Sequence, residues 1–200
     1  MGANAASNQN QPSPQRKYIP WLVETVIWNP DRSNTLARGI DKRGMYVHHD
    51  AFKQAQADLK RAHDFGVKIM AGTDSTDTDV YAGASLHDEL AMMVDAGLSP
   101  AEALRTATVN PAIYAGQISK AGTIDVGKRA DLILLNANPL SHISNTREIE
   151  SVFVNGQHLS LNELVTLKRS VEKAASSVGL NLHLLWDMIT SPLWRVQLMD

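Results

Sequence analysis

Residues Val67 to Ser75 read VKIMAGTDS. Val67, Ile69, Met70 and Ala71 give the continuous apolar run of a strand buried on both faces, the kind found in a parallel sheet covered by helices. The run reaches Gly72 and puts one carboxylate, Asp74, just past its end. In α/β folds the carboxyl ends of strands are where chemistry collects, which makes Asp74 a candidate for proton transfer or metal contact. The same residue has a plainer use, because aspartate commonly bonds its own backbone two residues on in a turn. The local pattern leaves both open.

Upstream, Met1 to Lys17 is rich in Asn, Gln, Ser and Pro and buries too little apolar surface to offset its ordering entropy, so residues 1–17 are expected to form a disordered arm. Tyr18 to Trp28 (YIPWLVETVIW) is dense in β-branched and aromatic residues and predicts a strand, with Pro20 near its start. Arg32 to Val47 lacks periodicity and reads as loop, and Asp50 caps a helix. Phe52, Ala55, Leu59 and Ala62 share one face of that helix, and Gly66 stops it. Strand, helix and strand in this order predict a βαβ unit on a parallel sheet.

Downstream, Ser85 and Asp88 predict a capping box for a helix with Leu86, Leu90, Met93 and Val94 on its apolar face, ending at Gly97. Ser99, Pro100 and Glu102 open the next helix in the same way, with Leu104 and Ala107 facing inward. Asn110-Pro111 starts a further turn ended by Gly116. Extended structure follows at Thr123-Ile124 and Ala130–Leu135, whose apolar run suits a buried strand. Val152–Val154 and Gln157–Leu159 flank Asn155-Gly156, the strongest short hairpin signal. Ser160 and Glu163 cap a helix with Leu164, Val171, Ala175 and Val178 on one face, expected to end at Gly179. Leu182, Leu185, Trp186 and Ile189 form a second apolar face before Pro192, and this pair of segments is expected to pack on its own domain, with partner binding as the minor reading.

Several blocks together carry a resemblance: Gly72-Thr73-Asp74-Ser75, the helix with His87, Glu89 and Leu90, AGLSPAEALRTATVNPA (Ala96–Ala112), AGTIDVGKRADLILLNANPL (Ala121–Leu140) and VFVNGQHL (Val152–Leu159). In this order they resemble the carboxyl-terminal part of the amidohydrolase superfamily, nearest to its imidazolonepropionase and prolidase-like branch. The resemblance implies an α/β fold made of a partial (β/α)8 TIM barrel, its last two strands (Tyr18–Trp28 and Val67–Gly72) with their helices. Part of a small β-sheet domain and a helical carboxyl-terminal tail complete it. The implied domains are 18–116 for the barrel part, 117–160 for the small β domain and 161–200 for the tail.

For the chemistry, the resemblance implies that Asp74 contacts a divalent metal, zinc by preference, and exchanges a proton with the attacking water and the leaving amine. Zinc lowers the pKa of its bound water to about 7, which supplies hydroxide at neutral pH. It also implies that His87, in the first turn of its helix, lies close to substrate. The substrate class is a small amide, cyclic amide or dipeptide cleaved at a carbon–nitrogen bond. The family's His-x-His pair and its other metal ligands have no counterpart in this sequence, so a catalytically inactive remnant serving as a binding or assembly module stands as the alternative. Its exposed strand edges would then be covered by another chain, as in an oligomer, or by the tail helices.

The remaining histidines are assigned no role. His48 and His49 would point to opposite faces of an extended chain, His63 lies off the apolar stripe and is expected to be solvated, and His142 and His158 have no metal spacing. Asp77 and Asp79 fail as a calcium loop, since Val80 and Leu86 fall where glycine and glutamate are required. Zero cysteines exclude thiolate metal sites and disulfides. A net charge of -2 with mixed signs excludes a dedicated nucleic-acid surface, and no apolar run reaches the roughly 18 residues of a membrane span. The amino end has no signal-peptide pattern, and a cytoplasmic location is slightly favoured.

Overall fold

The structure is a computed structural model that describes residues 13–30, 42–75 and 77–191, with side chains from residue 50 onward in the helix that begins at Lys42. Most of the expected arm, the His48-His49 side chains, and the chain from Pro192 on lie outside the described residues.

A 3₁₀ turn, Pro14–Tyr18, leads into helix α1 (Trp21–Val23), which continues as a π-helical stretch, Glu24–Trp28. The strand expected at Tyr18–Trp28 is therefore helical. Its β-branched and aromatic content favours a strand only where a neighbouring strand supplies the ladder, and no strand lies beside it among the described residues. The helix instead buries Leu22 and Trp28, and the Trp28 ring meets Tyr81 edge-on at 5.5 Å.

Helix α2 (Lys42–Asp64) starts earlier than the expected cap at Asp50. Among its described side chains Leu59, near its end, packs on the core, while Phe52 is half exposed. Val67–Gly72 then runs extended, without strand pairing. Its backbone is satisfied by helices: the Ala71 N–H donates to the Thr106 carbonyl (3.0 Å), and the Asn110 side-chain amide donates to the Ile69 carbonyl (2.7 Å). The parallel βαβ sheet is thus not formed among the described residues, because neither segment has a strand to pair with.

Helices α3 (Ala84–Asp95), α4 (Pro100–Ala107) and α5 (Val109–Tyr114) follow. Leu90 and Met93 of α3, Leu98, Ala103 of α4 and Ile143 form the core, with Ile69, Ala71, Val94, Leu104 and Ala107 packed against it. The box expected at Ser85 and Asp88 is absent: Gly83, at φ 76°, holds the N-cap position, and the Ser85 hydroxyl accepts the Tyr81 N–H instead. The box at Ser99 and Glu102 is complete, with Pro100 in the first turn.

Strands β1 (Leu132–Leu135), β2 (Ile149–Val154) and β3 (Gln157–Ser160) make one antiparallel sheet in that order. Leu132 pairs with Phe153, and the register slips between Leu134 and Leu135. Val154 pairs with Gln157 across Asn155-Gly156, whose φ values of 49° and 80° are those of a two-residue type I′ hairpin. The apolar run of β1 is less buried than expected, with Ile133 at 58% exposure. A 3₁₀ turn, Ile143–Arg147, between β1 and β2 packs on α3 and joins the sheet to the helical core.

The tail forms helix α6 (Leu161–Ala175), capped by Ser160 and Glu163 as expected, and helix α7 (Val178–Thr190). Ser177 caps α7, so Gly179 lies inside a helix rather than ending one. Helix α6 packs on β2 and β3 and α7 on α1, but Leu182, Trp186 and Ile189 stay more than half exposed.

Candidate active site

The loop after the extended segment is shaped by its own backbone. Asp74 adopts φ 52°, a left-handed conformation uncommon for a side chain other than glycine. Its carbonyl accepts the Asp77 N–H at 3.2 Å, and Thr73 and Ser75 share a hydroxyl hydrogen bond of 2.9 Å across it. The far end is fixed by Tyr81, which is buried and whose hydroxyl donates to the Asp79 carboxylate at 3.0 Å. Asp74 itself is exposed, and among the described residues its carboxylate takes no hydrogen bond.

Glu89 of α3 reaches back to the base of this loop. Its Oε1 accepts the Gly72 N–H at 2.8 Å, while Oε2 is buried with no partner among the described residues. In the sequence Glu89 stands inside the block with His87 and Leu90 without a role of its own. The available signal was its place on the apolar stripe, three residues after Leu86 and four before Met93, where a carboxylate needs a specific partner.

His87 turns to the seam between α3 and the 3₁₀ turn. Its Nδ1 lies 2.9 Å from the Thr146 hydroxyl, whose own proton goes to the Ile143 carbonyl at 2.8 Å. Nδ1 is therefore the donor, and Nε2 carries the free lone pair of the neutral ring. Burial holds its pKa below the ordinary histidine value, with the Arg147 and Lys168 cations acting in the same direction and Asp88 against them. Among the described residues no hydrogen bond or ion pair joins His87 to Asp74.

At the opposite end of the segment, a pocket of about 70 Å³ is lined by His63, Lys68, Glu102, Arg105 and Asn110, among others. The His63 Nε2 sits 3.0 Å from the Glu102 carboxylate, so His63 is partnered rather than merely solvated.

A structural metal site of the zinc type takes four donors, and a catalytic one three plus water. Among the described residues no three His, Asp or Glu side chains come together to hold a metal ion. Asp74 and the residues around it thus do not make such a site by themselves.

A mixed helical and antiparallel fold, with Asp74 in the loop after a helix-tethered segment, defines a class by its sequence blocks more than by its sheet. The sequence model of the Amidohydrolase family matches residues 21–159, well over half the chain. The chain belongs to that family. It is 32% identical over 93 residues to an imidazolonepropionase of Thermoplasma acidophilum, a match covering 46% of this chain and 22% of that protein. It is 40% identical over 62 residues to an N-substituted formamide deformylase of Arthrobacter pascens, covering 31% of this chain and 10% of the relative. A solved Xaa-Pro dipeptidase with bound methionine in its active site overlays with a TM-score of 0.48 and 30% identity, over 52% of this chain and 25% of that one. The chain therefore matches only about a fifth or less of the length of these two curated relatives. Among the described residues no helix is long and apolar enough to cross a membrane.

Proposed function

We propose that this chain is the carboxyl-terminal part of an amidohydrolase-type hydrolase acting on a carbon–nitrogen bond of a small amide, cyclic amide or dipeptide. Residues 18–116 would be the last part of its barrel, 117–160 part of its small β domain and 161–200 an added helical tail. The observation that carries the reading is the family match across residues 21–159, which includes the Gly72–Ser75 block and its aspartate. Asp74 is the reactive carboxylate: exposed and without a hydrogen bond among the described residues, it is free to take a proton from an attacking water and return it to the leaving nitrogen. A zinc ion at this centre would take Asp74 as one donor, and among the described residues no group of three donors stands there to complete the site. His87 is assigned to the substrate side through its neutral ring: Nδ1 is taken up by Thr146, which leaves the Nε2 lone pair to accept a hydrogen bond from a substrate.

The test is hydrolysis of an N-formyl amine, a cyclic amide and a Xaa-Pro dipeptide by the purified protein and by Asp74→Asn, with bound metal measured by mass spectrometry. A rate that falls about a hundredfold or more in the variant supports the reading. No turnover, or turnover indifferent to the substitution, overturns it.

A second reading, an inactive binding or assembly module, is favoured by the lack of a three-ligand cluster among the described residues and by the exposed Leu182, Trp186 and Ile189 of α7. A metal-free, inert protein that sediments as an oligomer supports this second reading.

A further inference from the structure

We propose that Glu89 is a positioning residue that sets the backbone from which Asp74 is presented. The proposal rests on Asp74 being the reactive carboxylate, and it adds what holds that carboxylate in place. Among the described residues Val67–Gly72 has no strand beside it, so its position depends on the packing of Ile69 and Ala71 on the core and on tethers from the helices. Asn110 takes the Ile69 carbonyl, the Thr106 carbonyl takes the Ala71 N–H, and Glu89 Oε1 takes the Gly72 N–H at 2.8 Å. The Glu89 tether is the nearest of the three to Asp74, two residues away, and its acceptor is a carboxylate, stronger than a neutral carbonyl when ionised.

Glu89 is placed expensively for any lesser purpose. It occupies the apolar stripe of α3, and its Oε2 is buried with no partner among the described residues. Burying an unmade acceptor is unfavourable, so a leucine would serve the helix better. What Glu89 supplies in return is the Gly72 contact. That contact bears on Asp74 because φ 52° is uncommon for aspartate, and the turn bonds of Thr73, Ser75 and Asp77 hold it only together with the flanking backbone at Gly72. With Gly72 released, Asp74 relaxes to negative φ and its carboxylate swings away from the direction the loop now gives it.

The test uses full-length isotope-labelled protein in four forms: wild type, Glu89→Gln, which keeps an acceptor for Gly72, and Glu89→Ala and Glu89→Leu, which remove it. The leucine form also fills the stripe, which keeps the fold if alanine does not. Gly72 amide exchange is expected to speed up about tenfold or more in the alanine or leucine form and to stay within about twofold of wild type in the glutamine form. The Asp74 Cα and Cβ shifts should leave left-handed values only where the acceptor is lost. In hydrolysis, kcat should fall with KM unmoved in those forms and recover in Glu89→Gln. Unchanged Gly72 exchange or unchanged Asp74 shifts in a folded Glu89→Leu protein overturns the proposal. Asp74→Asn separates the two claims: hydrolysis indifferent to it removes the catalytic reading, while an intact Gly72 and Asp74 response to Glu89→Leu upholds the clamp.

Discussion

Asn181 caps a helix 159 residues away: its Oδ1 accepts the Leu22 N–H at 2.9 Å. Leu22 lies in the first turn of α1, where backbone donors have no intrahelical acceptor, and Pro20 at the N-cap gives no side-chain bond. The Asn181 amide nitrogen donates to the Ala175 and Ser177 carbonyls, which closes the turn between α6 and α7. One side chain, 1% exposed, thus fastens the tail to the amino-terminal helix. Asn181→Leu leaves the Leu22 N–H and the Ala175 carbonyl short of a partner, while the Ser177 carbonyl keeps the backbone N–H of residue 181, and we predict a loss of about 2–4 kcal/mol in urea unfolding at pH 7.5. A loss under about 1 kcal/mol would mean that water replaces the amide at no cost.

The two complete capping boxes make a matched pair. Ser99 and Ser160 each accept the N–H three residues on and donate their hydroxyl to the glutamate there. Ser99→Ala and Ser160→Ala are each predicted to cost about 1 kcal/mol, read by chemical denaturation. The Glu102 carboxyl is pushed down to about 2, first by the Ser99 hydroxyl, then by the Ser99 N–H and His63. Its folded pKa lies below the unfolded one, so its contribution is full above about pH 4.5 and is lost as pH falls toward 2. Ser99→Ala should therefore flatten the acid limb of the stability curve, and an unchanged limb would rule the hydroxyl out as the cause.

These boxes were legible because everything they need lies within four residues, and the Asn155-Gly156 hairpin was legible for the same reason. The failures share the opposite property. Ser85 and Asp88 match the box pattern, but the Ser85 hydroxyl is already bonded to the Tyr81 N–H, a contact set by the loop from Asp74. Tyr18–Trp28 and Val67–Gly72 carry strand composition, yet a strand exists only with a neighbour, and the backbone here is satisfied by Asn181, Thr106, Asn110 and Glu89 instead. Asp74 stands out in the sequence by its place after an apolar run. Glu89 was passed over because a tether to a backbone N–H leaves no motif of its own.

His87 gives a second pH handle with its window at higher pH. Burial lowers its pKa from 6.5, so the folded state favours the neutral ring and the unfolded chain binds more protons in between. The stability this contributes is whole above about pH 6.5 and declines as pH falls through the depressed folded value. In His87→Gln the side-chain amide still donates to Thr146 but does not titrate. Urea unfolding at pH 7.5 and 5 should show a smaller loss on acidification for the variant than for the wild type. Equal losses would place the titrating group elsewhere.

Gly122, in the Ala121–Leu140 block, sits where a side chain has no room. It sits at φ 91°, and a Cβ there would lie 2.6 Å from the Ala112 Cβ and 3.1 Å from the Thr108 carbonyl oxygen. Gly156, at φ 80° in the hairpin, has open space around it. Both alanine substitutions incur the left-handed penalty, roughly 1 kcal/mol. Only Gly122→Ala adds overpacking against helix α5, roughly 1–3 kcal/mol more. Gly122→Ala should therefore unfold at clearly lower denaturant than Gly156→Ala. The clash also predicts coupling: Ala112→Gly removes the nearest obstructing atom, so the double variant should lose less stability than the two single losses added together. Strict additivity in that cycle would show that backbone conformation alone fixes glycine at position 122.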